Sequence, residues 1–291
     1  MPSADQIRDS QRAAWDGLSV GWEKWDSIIM DQMAPVSAAM IERLEIAEHQ
    51  HTLDIASGTG EPGLSIARLS PKGRVVLTDL SAEMLAVAAR RAAALGIDNI
   101  ETTVCSADDL PFDDASFDAV SMRFGYMFLP DLANATAEFV RVLKPGGRLC
   151  SSVWINPGEN PWTTIAMQAI ATEVALPAPD PDAPNMYRCA APGQVGALYE
   201  DAGLHNIAES DVDVELVTDS PEQYWDMISE HVSLAVAALE QVDEPARERI
   251  RARAIENVAG FVKEGTVRVP GMAQCIVGTK SRHVDPVAPP T

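Results

Sequence analysis

Residues 53–63 read Leu-Asp-Ile-Ala-Ser-Gly-Thr-Gly-Glu-Pro-Gly, and no other stretch restricts the fold of this chain so sharply. The run 51–56 has the length and composition of a strand. It leads into two glycines, Gly58 and Gly60, and then into a helical stretch from Pro62 to Leu69. Glycines at such a turn let the backbone approach a bound molecule and adopt conformations that a side chain forbids. Pro62 fits the first helical turn, where a missing N–H costs nothing.

The segments that follow repeat the strand–helix alternation. Residues 74–78 form a β-branched apolar run, and 82–95 an alanine-rich helix stopped by Gly96. Strands are expected at 100–105 and 117–122. A helix over 131–143 puts Leu132, Ala135, Phe139 and Leu143 on one face. A Pro145-Gly-Gly turn then leads to a strand at 148–154. The alternation predicts an α/β fold: a Rossmann-like, doubly wound, seven-stranded and mostly parallel sheet, with an antiparallel last strand and a helical cap. Beyond Trp154 the pattern changes. A helix is expected over 161–176, then an exposed loop marked by Pro177, Pro179, Pro181 and Pro184. A helix over 192–202, a long alternating strand over 206–218, a helical region over 221–264 and a final strand over 272–279 complete the chain.

These elements divide the chain into a cap segment (1–45), a binding core (46–155), a cap insertion (156–190), a core helix and strand (191–218), a second cap insertion (219–268), a last core strand (269–280) and a disordered tail (281–291). Segments 10–44, 155–190 and 219–265 hold all six tryptophans, with Trp154 counted at the boundary. They are expected to form one continuous helical cap over the ligand edge of the sheet.

Charge excludes several partners. The 291 residues carry 22 Lys and Arg against 43 Asp and Glu, a net charge of −21. Such a field repels a phosphate backbone and an anionic membrane surface, so neither nucleic acid nor membrane insertion is expected. The charge itself is read as a solubility feature. Cys105, Cys150, Cys189 and Cys275 lie far apart without a CxxC pair, which speaks against a zinc site or redox dithiol. No stretch approaches roughly 18 apolar residues, and the polar N-terminus has no leader-like apolar segment. A reduced, cytoplasmic protein is expected.

Taken alone, Gly58-x-Gly60-x-x-Gly63 also fits a dinucleotide turn. Asp54, at the strand end, shifts the balance. A carboxylate there holds an ammonium or a polar ribose and repels a pyrophosphate. The turn also lacks a basic residue for phosphates. Asp79 ends the second strand, 19 residues after Gly60, where an acid accepts both hydroxyls of a ribose. Leu80, Ser81, Met84 and Leu85 begin the next helix, with Ser81 as its N-cap.

With those residues the chain resembles the class I S-adenosyl-methionine-dependent methyltransferases, in particular the group that includes the ubiquinone/menaquinone-biosynthesis C-methyltransferases. The matching pieces are LDIASGTGEPG (53–63), LTDLSAEML (77–85), SADDLPFDDASFDAV (106–120) and RVLKPGGRL (141–149). The resemblance covers about 50–155 firmly and the C-terminal pattern loosely. It implies S-adenosyl-methionine as cofactor. Asp54 and the turn of Ala56, Ser57, Gly58 and Gly60 would hold the methionine end, and Asp79 the ribose, with Leu80 and Met84 among the cofactor residues. Ser106, Ala107 and Asp108 would frame the adenine, and Met122 and Arg123 would lie beside the methionine moiety. Two positions depart from the family pattern. Ala56 stands where a first glycine is common. Ser106 stands where an Asp meets the adenine amino group, so either Asp108 substitutes or Ser106 accepts that bond itself.

Methyl transfer from a sulfonium is an in-line displacement, so the protein's task is alignment and exclusion of water. A base is needed only where the acceptor must lose a proton. His49 and His51 lie at the wrong end of the sheet, His205 in a turn and His283 in the tail. His231 is the candidate base, set against a solvated or capping histidine. Arg123 and Tyr126 follow the fourth strand on the ligand edge, as substrate groups or as packing. Trp154, Trp162 and Trp225 line either an acceptor pocket or the inside of a lid. The pairs Asp108-Asp109, Asp113-Asp114 and Asp180/Asp182 are read as loop and cap residues, with no metal expected. The expected function is methyl transfer to a small, partly apolar organic acceptor. An NAD(P)-dependent oxidoreductase, which would lack a Tyr-x-x-x-Lys set here, and a non-catalytic cofactor-binding protein of the same fold are the alternatives. Acceptor identity, attacking atom and oligomeric state stay open.

Overall fold

The computed structural model describes residues 3–176, 180 and 183–282. Pro177, Pro179, Pro181 and Asp182 of the proline-marked loop lie outside the described residues, as do His283 and the tail after it. Five strands run parallel: β1 (His51–Asp54), β2 (Arg74–Asp79), β3 (Ile100–Val104), β4 (Phe117–Arg123) and β5 (Leu143–Trp154). Two long strands complete the sheet, β6 (Leu204–Thr218) and β8 (Thr266–Lys280), in spatial order β3-β2-β1-β4-β5-β8-β6. β8 is antiparallel to both of its neighbours. The two-residue β7 (Val262–Lys263) turns back onto β8 and makes an eighth strand where seven are expected.

Burial explains the composition of the central strands. Leu53, Val75, Leu77, Ala119 and Val120 are all buried, as strands covered on both faces require. The chain moves from β1 outward to β2 and β3, then returns to place β4 on the other side of β1. In open α/β sheets such a reversal marks where ligands bind, here the carboxyl ends of β1 and β4. Register brings Asp54 opposite Ser121 there. The expected turn at Pro145-Gly-Gly belongs to β5. Phe117 pairs with Leu143 and Ala119 with Arg148, so the extra residues bulge out between them.

Helices flank the sheet where caps and apolar stripes predict them. α3 (Gly63–Leu69) and α4 (Ala82–Leu95) follow β1 and β2. Ser81 caps α4 by accepting the Met84 N–H at 3.1 Å, and Gly96 ends it at φ 67°. α5 (Leu132–Val142) starts at Asp131, and α7 (Gln194–Asp201) packs on β6. α2 (Asp26–Leu44) buries Ile29, Met33, Val36, Met40 and Leu44, a stripe at helical spacing, against β4, β5, β6 and β8. The structure therefore corrects the expectation that all of 10–44 belongs to a cap, because α2 is a layer of the core.

α1 (Ala4–Lys24), α6 (Pro161–Ile170), α8 (Pro221–His231), α9 (Ser233–Leu239) and α10 (Glu244–Val258) do pack on one another. α1 meets α4 and α8, α8 meets α9 and α10, and α6 meets α10. The α1–α8 crossing is close. A Cβ on Gly21 would lie 2.2 Å from the Glu230 carbonyl oxygen. Glu230 also accepts from Lys24 at 2.6 Å and from the Trp25 indole at 2.8 Å. No helix among the described residues is long and apolar enough to cross a membrane.

Gly21→Ala should therefore push α1 off α8. Overpacking of this kind costs about 1–3 kcal/mol. Thermal unfolding is expected to shift down by several degrees, and an unchanged midpoint would show that α1 does not pack against Glu230.

Candidate active site

The turn after β1 is stitched to both neighbouring strands. The Ile55 N–H donates to the Ser121 carbonyl at 2.8 Å, and the Ser57 N–H to the Thr78 carbonyl at 2.8 Å. Gly58 and Gly60 take φ of 54° and 109°, and Ala56 takes φ 49°. The left-handed value at Ala56 is uncommon outside glycine and is tolerated here by a small side chain. Gly63 has a separate reason. A Cβ there would lie 2.2 Å from a Leu77 methyl and 2.8 Å from Asp54 Oδ2.

Two buried acids hold this turn in shape. Asp54 is 0% exposed. Its Oδ2 accepts the Gly63 N–H at 2.9 Å and its Oδ1 the Ser121 hydroxyl at 2.6 Å. Burial pushes its pKa up to about 7, against the pull of those two hydrogen bonds. Asp79 is 8% exposed and accepts the Gly58 N–H at 2.8 Å and the Ser81 N–H at 2.9 Å. Burial raises it to about 6, again opposed by its backbone donors. Asp54 thus sits beneath the turn as its anchor, where contact with a ligand's methionine end was expected. Asp79 stays beside the mouth, and each carboxylate oxygen has a second lone pair to offer.

Ser106 and Asp108 come together. The Ser106 hydroxyl donates to Asp108, and Arg8 of α1 reaches the same carboxylate at 2.7 and 3.1 Å. Burial would raise the Asp108 pKa, but the bonds from Arg8 and Ser106 hold it below its ordinary value. Ala107 lies between them, half-buried. Met84 and Met122 are buried, and Leu80 is partly exposed at the end of β2. α1 also reaches the start of α4, where the Ser81 hydroxyl donates to Asp16 at 2.5 Å.

The three candidate catalytic residues separate. Arg123 is mostly buried at the end of β4 and donates to Ser37 Oγ at 2.9 Å, with Met30 Sδ at 3.6 Å. No carboxylate lies within ion-pairing distance of it among the described residues. Burial lowers its pKa to about 10, with Glu61 and Asp54 opposing, so it stays charged at neutral pH. Tyr126 is a correction. It is fully buried, its hydroxyl lies 2.9 Å from Thr136 Oγ1, and its ring meets Phe139 edge-on, so it packs the core below the edge. His231 is 4% exposed, with Nδ1 2.7 Å from the Met227 carbonyl and its ring edge-on to Trp22. Burial drops its pKa to about 4. At neutral pH it is uncharged and a weak base, built into the α1–α8 seam.

Trp154 stacks on Phe124 at 4.1 Å and leans on Trp162 at 5.1 Å. Trp225 is buried in α8. Arg8, Asp16, Asp26 and Arg91 also border the turn and its neighbours, beyond the residues expected there. Arg91 donates to the Thr59 carbonyl at 2.6 Å and faces Asp26 at 3.1 Å. Its signal was available: Met84, Ala88 and Arg91 share one helical face. The others depend on where α1 lies, which no local pattern states.

Residues 52–147 match a family described as a methyltransferase domain. Those residues carry a methyltransferase domain. The chain is 44% identical over 102 residues to the ubiquinone/menaquinone biosynthesis C-methyltransferase of Brucella anthropi, covering 34% of this chain and 39% of that protein. The chain thus spans well under two thirds of the curated relative. Two solved structures share the fold of this domain. The YcgJ protein of Bacillus subtilis has a TM-score of 0.54 at 20% identity, over 85% of this chain and 98% of that one. A Haemonchus contortus phosphoethanolamine N-methyltransferase 2, in complex with phosphomonomethylethanolamine and S-adenosylhomocysteine, has a TM-score of 0.56 at 17% identity, over 97% and 61%.

The buried acid under the methyltransferase turn predicts a pH effect. The folded chain holds the Asp54 proton up to about pH 7, while an unfolded carboxyl releases it near 3.8. Between those values Asp54 binds its proton more tightly in the fold than in the unfolded chain, so its own contribution to stability falls as pH rises. Asp79 contributes with the same sign up to about pH 6. Asp54→Asn should flatten, without abolishing, that slope in urea unfolding followed from about pH 4 to 7. A slope equal to wild type would mean that Asp54 ionises as freely in the fold as outside it.

Proposed function

We propose that this chain transfers a methyl group from S-adenosyl-methionine to a small, partly apolar organic acceptor. Asp79 carries the reading. Its carboxylate is fixed at the end of β2 by the Gly58 and Ser81 amides, beside the glycine turn. It suits a ribose diol, while the buried Asp54 under the turn disfavours a pyrophosphate. The hydroxyls of Ser57 and Thr59, buried without a partner, add donors and acceptors of the kind a polar ligand completes.

In this reading Ala56, Ser57, Gly58 and Gly60 cradle the methionine moiety, with Met122 and Arg123 alongside. Asp79 takes the ribose, with Leu80 and Met84 next to it. Ser106, Ala107 and Asp108 frame the adenine. Asp108 is locked to Ser106 and Arg8 as one unit. The bound cofactor supplies an electrophilic methyl group on a sulfonium. The chain's own part is to hold the two reactants in line and keep water out. His231, uncharged and weakly basic, serves packing in this proposal, which suits an acceptor that need not lose a proton first. Acceptor choice rests with the cap helices, since the sheet edge is committed to the cofactor. Net charge and four unpaired cysteines support a small-molecule acceptor and a cytoplasmic setting over nucleic acid. Nothing in the comparisons favours the oxidoreductase alternative.

Asp79→Ala is expected to weaken S-adenosyl-homocysteine binding strongly. Hydrogen bonds to a charged group contribute about 1.5–3 kcal/mol each, so the loss should be about tenfold or more. Wild-type affinity should also fall as pH drops through about 6, where Asp79 takes up its proton. Titration calorimetry reads both, with NAD as the contrasting ligand. Tight NAD binding, or an Asp79→Ala affinity equal to wild type, would defeat the reading.

A further inference from the structure

The methyltransferase reading leaves one carboxylate beside the glycine turn without a task. Asp26 opens α2, two residues after α1 ends at Lys24. Its Oδ2 lies 3.1 Å from Arg91 Nε, and the same guanidinium donates to the Thr59 carbonyl at 2.6 Å. One rigid planar group therefore fixes Asp26 next to the turn. The other oxygen, Oδ1, is shielded from solvent and has no hydrogen-bond partner. A shielded carboxylate oxygen in that state costs free energy until a donor completes it.

The turn that Arg91 contacts shares the condition. Ser57 Oγ and Thr59 Oγ1 belong to side chains 5% and 2% exposed and have no partner. Trp22 Nε1, near the end of α1, is also buried and unpartnered. Asp54, by contrast, already has a donor on each of its oxygens, Gly63 and Ser121. The acid expected to meet the methionine end is sealed under the turn, and Asp26 is the acid that approaches the turn from the N-terminal segment.

Resting on the reading of this turn as an S-adenosyl-methionine site, we propose that Asp26 receives the α-ammonium of the methionine moiety on its free oxygen. The charges agree. Burial raises the Asp26 pKa above its ordinary value, with Arg91 opposing and the nearby Glu61 adding to the rise. An ammonium at Oδ1 supplies the missing donor. Arg123, which has no carboxylate partner among the described residues, lies in the field of the same acids and is free to face the carboxylate end of a zwitterion. The assignment also unifies the N-terminal segment. Arg8 marks the adenine end, Asp16 the ribose side and Asp26 the methionine end of one site.

An ammonium could also come from an amine acceptor, and the test separates the two sources. Titration calorimetry on the full chain compares wild type with Asp26→Asn, using S-adenosyl-homocysteine and 5′-methylthioadenosine, which keeps the nucleoside and lacks the amino-acid end. Asp26→Asn should weaken S-adenosyl-homocysteine about tenfold or more and methylthioadenosine less than about twofold. Thermal unfolding of the variant checks that it is folded. Equal losses for both ligands would show that Asp26 only shapes the turn through Arg91, and would overturn the proposal. No loss for either would overturn it as well and point to an acceptor's amine. Failure of the wild-type chain to bind S-adenosyl-homocysteine would instead bring down the cofactor reading on which the proposal rests.

Discussion

The hydrogen bond from the Gly63 amide to Asp54, 2.9 Å long, is the contact on which the rest of this structure depends. It ties the end of the central strand to the first turn of the helix that follows, so the chain between them must form a tight loop. The loop exists in this shape because Gly63 has no Cβ to strike Leu77 and Asp54. The Ser121 hydroxyl on the second oxygen then locks β1 to β4 at the point where strand order reverses. Burying a carboxylate is costly unless donors surround it. Two strong donors offset much of that cost, and the raised pKa of Asp54 records what is left.

From that anchor the second acid follows. Asp79 draws the Gly58 amide toward β2 and the Ser81 amide toward the start of α4, so turn, strand and helix share one carboxylate. α1 is positioned over the result by polar contacts far apart in sequence: Arg8 to Asp108, Asp16 to Ser81, and Lys24 with Trp25 to Glu230. Exposed pairs of this sort add little to stability singly. Asp108 is different because its carboxylate is nearly inaccessible, so releasing Arg8 would strand a buried charge. The N-terminal helix is thus held most firmly where it meets the residues assigned to the adenine.

Much of this was legible in the sequence, and the limits have physical causes. The glycine turn, the Ser81 cap and Asp79 are local features whose geometry follows from residues within a few positions of each other. The strands of the binding core were readable because apolar β-branched runs leave few options. α2 was misassigned because an amphipathic helix has the same apolar stripe whether it covers a sheet or a neighbouring helix. Tyr126 stands at the expected place in the chain, but the short helical turn over 126–128 directs it inward to Thr136. His231 was singled out for its proton chemistry, which burial against Met227 and Trp22 removes. Arg8 and Asp26 carried no signal, because their partners lie far along the chain.

The two edges of the sheet differ in how completely their polar groups are satisfied, and that difference bears on function. At the amino edge, the Lys280 ammonium donates to the carbonyls of Val140 and Leu143 at 2.6 and 2.7 Å, and Arg148 donates to the Arg43 carbonyl at 2.8 Å. Charged side chains there close off backbone acceptors that would otherwise lack partners. Around the carboxyl edge the balance is reversed. Trp22, Asp26, Ser57 and Thr59 each keep a buried polar atom without a partner. Phe124, at the end of β4, holds a left-handed φ of 58° that a bulky side chain avoids, and Trp154 stacks on it. Folding alone would favour removing such costs, by an apolar residue for each orphaned atom and a glycine for the strained one. The unpartnered atoms of Ser57 and Thr59, in the turn itself, are of the kind that a ligand at the carboxyl edge would complete.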